Sequence, residues 1–164
     1  MIPAAVVLRL GIVSVLLTTP ACRAKLPPCP VVEAPQRALS AGCLTLVHGQ
    51  LLVVEGWNGR VSPPGGTVEA GESAQCAAHR ETWEETGLDV RPAGLLHTFA
   101  TGFNLYRCDL YSDSGALDSQ AITEVRRAYW LPLSDVDAVE WRFPQQGKEL
   151  LALIQATEPE ASSR

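Results

Sequence analysis

The chain lacks any run of lysine and arginine. Its 164 residues hold 13 Lys and Arg against 18 Asp and Glu, a net charge of −5. An acidic chain without a basic tract has little with which to grip a polyanionic backbone, so no nucleic-acid polymer is expected as a partner. A small anion remains open as a partner where a metal neutralises it. The apolar run Leu10–Leu17 is eight residues long and is broken by Gly11 and Ser14. A bilayer span needs roughly 20 apolar residues. No Cys-x-x-Cys pair occurs, which removes the basis for a zinc ribbon or a thioredoxin-like site. His48, His79 and His97 have no metal-ligand spacing and read as structural or exposed. There is no internal repeat and no low-complexity tract. What is present is 46% hydrophobic and 19% charged residues, a globular mixture of about one domain's length.

The first residues carry an address. Arg9 is the only charge in residues 1–21, and an apolar stretch follows it that ends near Ala21. This fits a secretory signal, so an exported, periplasmic or membrane-anchored protein is expected. Cys22 is a candidate lipidated residue of the bacterial lipoprotein kind, although Thr19-Pro20-Ala21 departs from the Leu-Ala-Gly type usual there. Membrane attachment would then run through this segment or Cys22. A buried helix and a cytoplasmic location form the alternative. With Cys22 set aside, Cys29, Cys43, Cys76 and Cys108 suffice for two disulfides with three connectivities, or for four reduced thiols. Residues 22–38 are proline-rich and read as a linker, 39–157 as the domain, and 158–164 as a frayed tail.

Strand and helix signals alternate from Leu39 onward. Strands are expected at Cys43–His48, Gln50–Glu55, Leu95–Ala100, Asn104–Tyr111 and Glu124–Leu131, with a turn at His48-Gly49. Ser62–Gly66 and Ser112–Ser119 read as loops. Helices are expected at Ser73–Thr86 and Gly147–Ala156, with a short one opening at Ser134-Asp135. Such a series gives a layered α/β sandwich with a mixed sheet.

The first helix carries the chemistry. Ser73 suits its N-cap, and Gly87 suits the left-handed position past its end, with Leu88 as the apolar contact. At 100° per residue, Ala74, Ala78, Glu81 and Glu85 share one face, flanked by Ala77 and Glu84. Alanines let a helix lie close to a sheet, and the carboxylates emerge where that contact ends. Trp83 falls on the opposite face. Glu81, Glu84 and Glu85 repel one another by a few tenths of a kcal/mol per pair and sit at the helix end that disfavours anions. A divalent cation reverses both penalties, and hard oxygen ligands suit Mg²⁺ or Mn²⁺. Surface decoration is the commoner meaning of an acidic triplet. The segment upstream changes this: Gly65-Gly66 permits close backbone approach, and Arg80, four residues before Glu84, can orient carboxylates, with Glu72 as its counter-charge.

Gly66-x5-Glu72-x7-Arg80-Glu81-Thr82-x-Glu84-Glu85-x-Gly87-Leu88 resembles the signature of the Nudix hydrolases, with all seven fixed positions present. Thr82 is the one departure, where an aliphatic residue is preferred. The signature covers about a seventh of the chain, and the strand order over roughly 39–157, including Trp130-Leu-Pro-Leu, is also similar to the family. The resemblance implies an α/β/α sandwich with a loop–helix–loop motif. It implies hydrolysis of a nucleoside diphosphate linked to another moiety, with Mg²⁺ or Mn²⁺. Carried over by position, Glu81, Glu84 and Glu85 would bind metal with the Gly66 carbonyl, while Glu72 and Arg80 support them. Glu124 is the candidate for a further acid from a later strand or loop. Gly65, Gly66 and Trp57 are candidate substrate contacts. Phe103, Tyr106, Trp130, Trp141 and Phe143 could also stack on a base, with core or rim packing as the ordinary alternative. A sugar-nucleotide or ADP-ribose type of substrate is preferred over a nucleoside triphosphate. Either Glu85 or Glu81 could be the general base. A non-catalytic nucleotide-binding module of the same family is the alternative function, and a dimer is left open.

Overall fold

A computed structural model describes residues 25–31 and 37–157. The expected signal segment, Cys22 and the tail 158–164 lie outside the described residues. Two small sheets and two helices make up the domain. The first sheet has the order β5-β1-β7-β6, from Gly65–Thr67, Ser40–Leu44, Phe103–Leu110 and Val90–Thr98. The β1–β7 pair is parallel and the others are antiparallel, so the sheet is mixed as expected. The second sheet is centred on β3 (Gln50–Gly56). It is flanked on one edge by β2 (Leu46–Val47) and β4 (Val61–Ser62), and on the other by β8 (Val125–Pro132).

Helix α1 (Ala74–Thr86) lies on the first sheet. Ala74, Ala77 and Ala78 meet Ala41, Cys43, Val90 and Tyr106 in a core of small side chains. A larger core joins the two sheets to helix α2 (Gln146–Thr157) through Leu44, Leu51, Val53, Leu105, Leu150 and Ile154. A 3₁₀ helix at Leu133–Ala138 adds Val136. The result is the α/β sandwich expected from the sequence.

The structure moves three boundaries. The strand expected at Cys43–His48 is split at Thr45, where the chain leaves the first sheet for the second and the Thr45 carbonyl accepts the Leu52 N–H at 3.0 Å. The segment expected as a loop, Ser62–Gly66, instead gives residues to two strands. Gly65 and Gly66 pair with Gly42 and Ala41, and a Cβ on Gly42 would strike the Pro64 carbonyl. The strand expected from Leu95 begins at Val90, because register shifts on either side of Leu95 disturb its alternation.

Two disulfides join Cys29 to Cys76 and Cys43 to Cys108. The first fastens the proline-rich segment ahead of the domain to the first turn of α1. The second ties β1 to its parallel neighbour β7.

Candidate active site

Local rules fix α1 at both ends. The Ser73 hydroxyl accepts the Cys76 N–H at 3.1 Å, and Gly87, at φ 75°, donates its N–H to the Trp83 carbonyl at 2.7 Å. The alanine face is fully buried. Trp83, on the far side, is also buried, and Thr82 turns its hydroxyl back to the Ala78 carbonyl at 2.7 Å. Its departure from the signature is thereby absorbed inside the helix.

Where the alanines stop, the acids gather around Arg80. The guanidinium takes Glu72 with two hydrogen bonds of 3.0 Å. It also donates to Glu81 at 2.8 Å, to Glu84 at 3.3 Å and to the Thr67 carbonyl at 2.9 Å. Burial alone would raise the Glu72 carboxyl, but Arg80 and the Glu69 N–H bring it below its ordinary value. Arg80 is raised in turn, first by its hydrogen bond to Glu72. Glu72 thus serves as the counter-charge that holds Arg80 among the acids.

Glu85 is buried and accepts the Gly65 N–H at 2.8 Å. Burial pushes its carboxyl up to about 8 against that hydrogen bond, and the charges of Glu81 and Glu124 push the same way. Glu81 is likewise raised, by burial first and also by Glu84 and Glu124, although Arg80 opposes. The Glu81 carboxylate lies under Gly66, where a Cβ would collide with it. Glu124 itself is exposed, at the start of β8. It reaches the site because the preceding loop docks on the end of α1. Gln120 and Ala121 donate to the Glu84 carbonyl at 2.7 and 2.8 Å, and Asp118 donates to the Thr86 carbonyl at 2.8 Å. This loop caps helix carbonyls that would otherwise lack partners.

The residues fit a divalent cation. Glu81, Glu84, Glu85 and Glu124 are hard oxygen donors, the charge of Glu124 helps to raise both Glu81 and Glu85, and a glycine leaves the space beside Glu81 open. Among the described residues no three acidic, His or Cys side chains converge on one point. Arg80 holds Glu81 and Glu84, and Gly65 holds Glu85. Binding an ion here therefore exchanges these protein contacts for metal contacts.

The other candidates separate. Gly65 and Gly66 line a cavity of about 280 Å³ with Phe103 and Phe143. Gly65, a candidate substrate contact, has its N–H taken by Glu85. Trp57 is 65% exposed, donates to the Ile122 carbonyl at 3.3 Å and borders a second cavity of about 420 Å³ with Glu124. Tyr106 is fully buried, and Trp141 is spent on the Val136 carbonyl at 2.7 Å, so both are core. Trp130 borders neither cavity. His79 is buried against Asp89 at 2.9 Å, and His48 forms the β2–β3 turn at φ 50°. Sequence reading passed over Arg142, which borders both cavities. A single arginine between two aromatics has no spacing that marks it. The docked loop also went unnoticed, because its contacts are made by backbone.

Comparison with known proteins follows the same outline. A family model described as the NUDIX domain matches residues 36–154, well over half of the chain. No protein with a curated description matches the sequence. Among solved structures, an ADP-ribose pyrophosphatase from Streptococcus suis is 19% identical, with 75% of this chain and 93% of that one covered and a TM-score of 0.63. A NUDIX hydrolase from Nitrosomonas europaea is 23% identical, with 75% and 90% covered and a TM-score of 0.60. A C. elegans Ap4A hydrolase is 22% identical, with 71% and 96% covered and a TM-score of 0.55. At these identities the structural likeness speaks for the fold, while the sequence match over 36–154 establishes kinship: the chain belongs to the Nudix family of hydrolases.

Proposed function

We propose that the protein hydrolyses the diphosphate bond of a nucleoside diphosphate linked to another moiety, with Mg²⁺ or Mn²⁺ as its cofactor. The observation that carries this is the acid cluster. Arg80 holds Glu81 and Glu84, the charges of Glu81 and Glu124 act on the buried Glu85, and Glu124 lines the larger cavity. A bound divalent ion would neutralise phosphate charge and lower the pKa of water. Glu81, Glu84 and Glu85 would hold it, with the Gly66 carbonyl and Glu124 as further donors. The chain's own contribution is orientation. Arg80 spaces Glu72, Glu81 and Glu84, and Gly65 fixes the Glu85 carboxylate. A carboxylate of this group takes the proton of the attacking water, a role worth about 10²–10⁴-fold. Either Glu85 or Glu81 would be this base: burial raises both carboxyls, and a bound cation would bring them down to the ionised form that accepts a proton. Two structural neighbours carry the names ADP-ribose pyrophosphatase and Ap4A hydrolase, in keeping with a small nucleotide substrate.

The test is hydrolysis of ADP-ribose, UDP-glucose and ATP by the purified protein with Mg²⁺ or Mn²⁺, beside Glu84→Gln and Glu85→Gln. Turnover that vanishes with chelation and falls at least 100-fold in both variants is expected. Equal turnover by all three proteins removes the proposal, and binding without turnover favours the non-catalytic module. Export is part of the same proposal, supported by two disulfides, which persist in oxidising compartments. Among the described residues no helix is long and apolar enough to cross a membrane.

A further inference from the structure

The two cavities share two residues, Ser62 and Arg142. Each cavity also holds an exposed aromatic ring. Phe143, 50% exposed, stands in the smaller one, and Trp57 in the larger. Arg142 is set at the junction by backbone. Its N–H donates to the Val61 carbonyl at 2.8 Å, next to the bridge between Val61 and Trp141. Its guanidinium lies 5.7 Å from the Phe143 ring centroid, and its charge reaches Glu85. The other arginines nearby are occupied: Arg60 by Glu140, Arg80 by Glu72, Glu81 and Glu84, and Arg126 and Arg127 by Glu55. Among the described residues Arg142 makes no salt bridge and no side-chain hydrogen bond, and Glu85 is the acid whose charge it feels. An exposed cation with a planar fork of donors, beside carboxylates that call for a metal, is suited to a phosphate oxyanion.

We propose that Arg142 clasps the bridging diphosphate of a substrate that carries one organic group in each cavity, so that it selects substrates substituted at both ends of the diphosphate. The inference rests on the hydrolase reading above and adds its specificity residue. A substrate with a bare phosphate end fills one cavity and leaves the other to water. A substrate with two ends gains a ring contact on each side of the guanidinium.

The test is equilibrium binding, independent of turnover. The methylene-bridged analogues of ADP-ribose and of ADP, which differ in the second organic end, are titrated calorimetrically into the full chain with Mg²⁺. Wild type should bind the two-ended analogue at least tenfold more tightly. Arg142→Ala should weaken it tenfold or more, and Arg142→Lys should fall between, with unchanged melting temperatures. With ADP-ribose as substrate, Arg142→Ala should raise KM while kcat moves little. Equal affinity of wild type for both analogues, or an Arg142→Lys variant indistinguishable from wild type beside an unaffected Arg142→Ala, overturns the inference. If Arg142→Ala fails to fold, an unchanged Kd in Arg142→Lys and in Arg142→Gln does so. A wild type that binds the two-ended analogue as stated and cleaves no probe sinks the hydrolase reading and leaves the Arg142 assignment standing.

Discussion

Single residues set the character of the site, and Glu85 is the one most at odds with its surroundings. Its carboxyl rises from an ordinary 4.5 to about 8. A raised folded-state pKa means that the folded protein holds a proton that the unfolded chain has released. Stability is therefore full below about 4.5 and falls as pH rises toward 8. Urea unfolding in the presence of a chelator, at pH 5, 6.5 and 8, should show this decline, and Glu85→Gln should flatten it. A parallel decline in both proteins would assign it elsewhere. Gly66 offers a second check. Its absent side chain leaves room for the Glu81 carboxylate. Gly66→Ala should cost at least tenfold in turnover through displacement of Glu81, read as a weaker apparent metal affinity in the hydrolysis assay. Both residues were legible in the sequence through the signature. Arg142 was not, because its meaning comes from two cavities that close around it only in three dimensions.

At the scale of elements, α1 shows how far local chemistry reaches. Its start, its end and its acid-bearing face follow from Ser73, Gly87 and the alanines, and all three are visible in the sequence. The strands around it were harder to read. β6 carries irregular register that masks its alternation, and the strand expected as one unit at Cys43–His48 serves two sheets. A helix announces itself by period, whereas a strand's limits depend on partners distant in the chain. The loop docked on α1 belongs to this second kind. Gly87 touches it, and a Cβ there would strike the Asp118 backbone. Gly87→Ala meets two obstacles, the positive φ and that collision. It should destabilise the protein by more than about 1 kcal/mol, measured by denaturant unfolding. It should also lower turnover by shifting the loop that brings Glu124 to the site. A variant with wild-type turnover would separate Glu124 from catalysis.

At the scale of the whole molecule, the two disulfides close loops of 47 and 65 residues. Chain-entropy estimates give roughly 4 kcal/mol for each. Cys29→Ser with Cys76→Ser should lower unfolding free energy by about 2–5 kcal/mol, as should the Cys43 and Cys108 pair, both measured by denaturant titration without reductant. With Cys22 set aside, the four remaining cysteines allowed either two bridges or four thiols, and the structure forms two bridges. Which sulfur meets which was settled by the packing of α1 on the first sheet and by the parallel pairing of β1 with β7, neither of which is written in the spacing of the cysteines.

The Cys29–Cys76 bridge also decides where the domain is held. A tether ahead of Cys29 would draw on the protein through that covalent knot. Its load would enter α1 at the first turn, roughly two and a half helical turns before Glu84 and Glu85. The acid-bearing end of the helix is braced separately, by the loop from Asp118 to Ala121. Were such a tether present, its tension would be taken up at one end of α1 while the acid-bearing end stays registered against its own support.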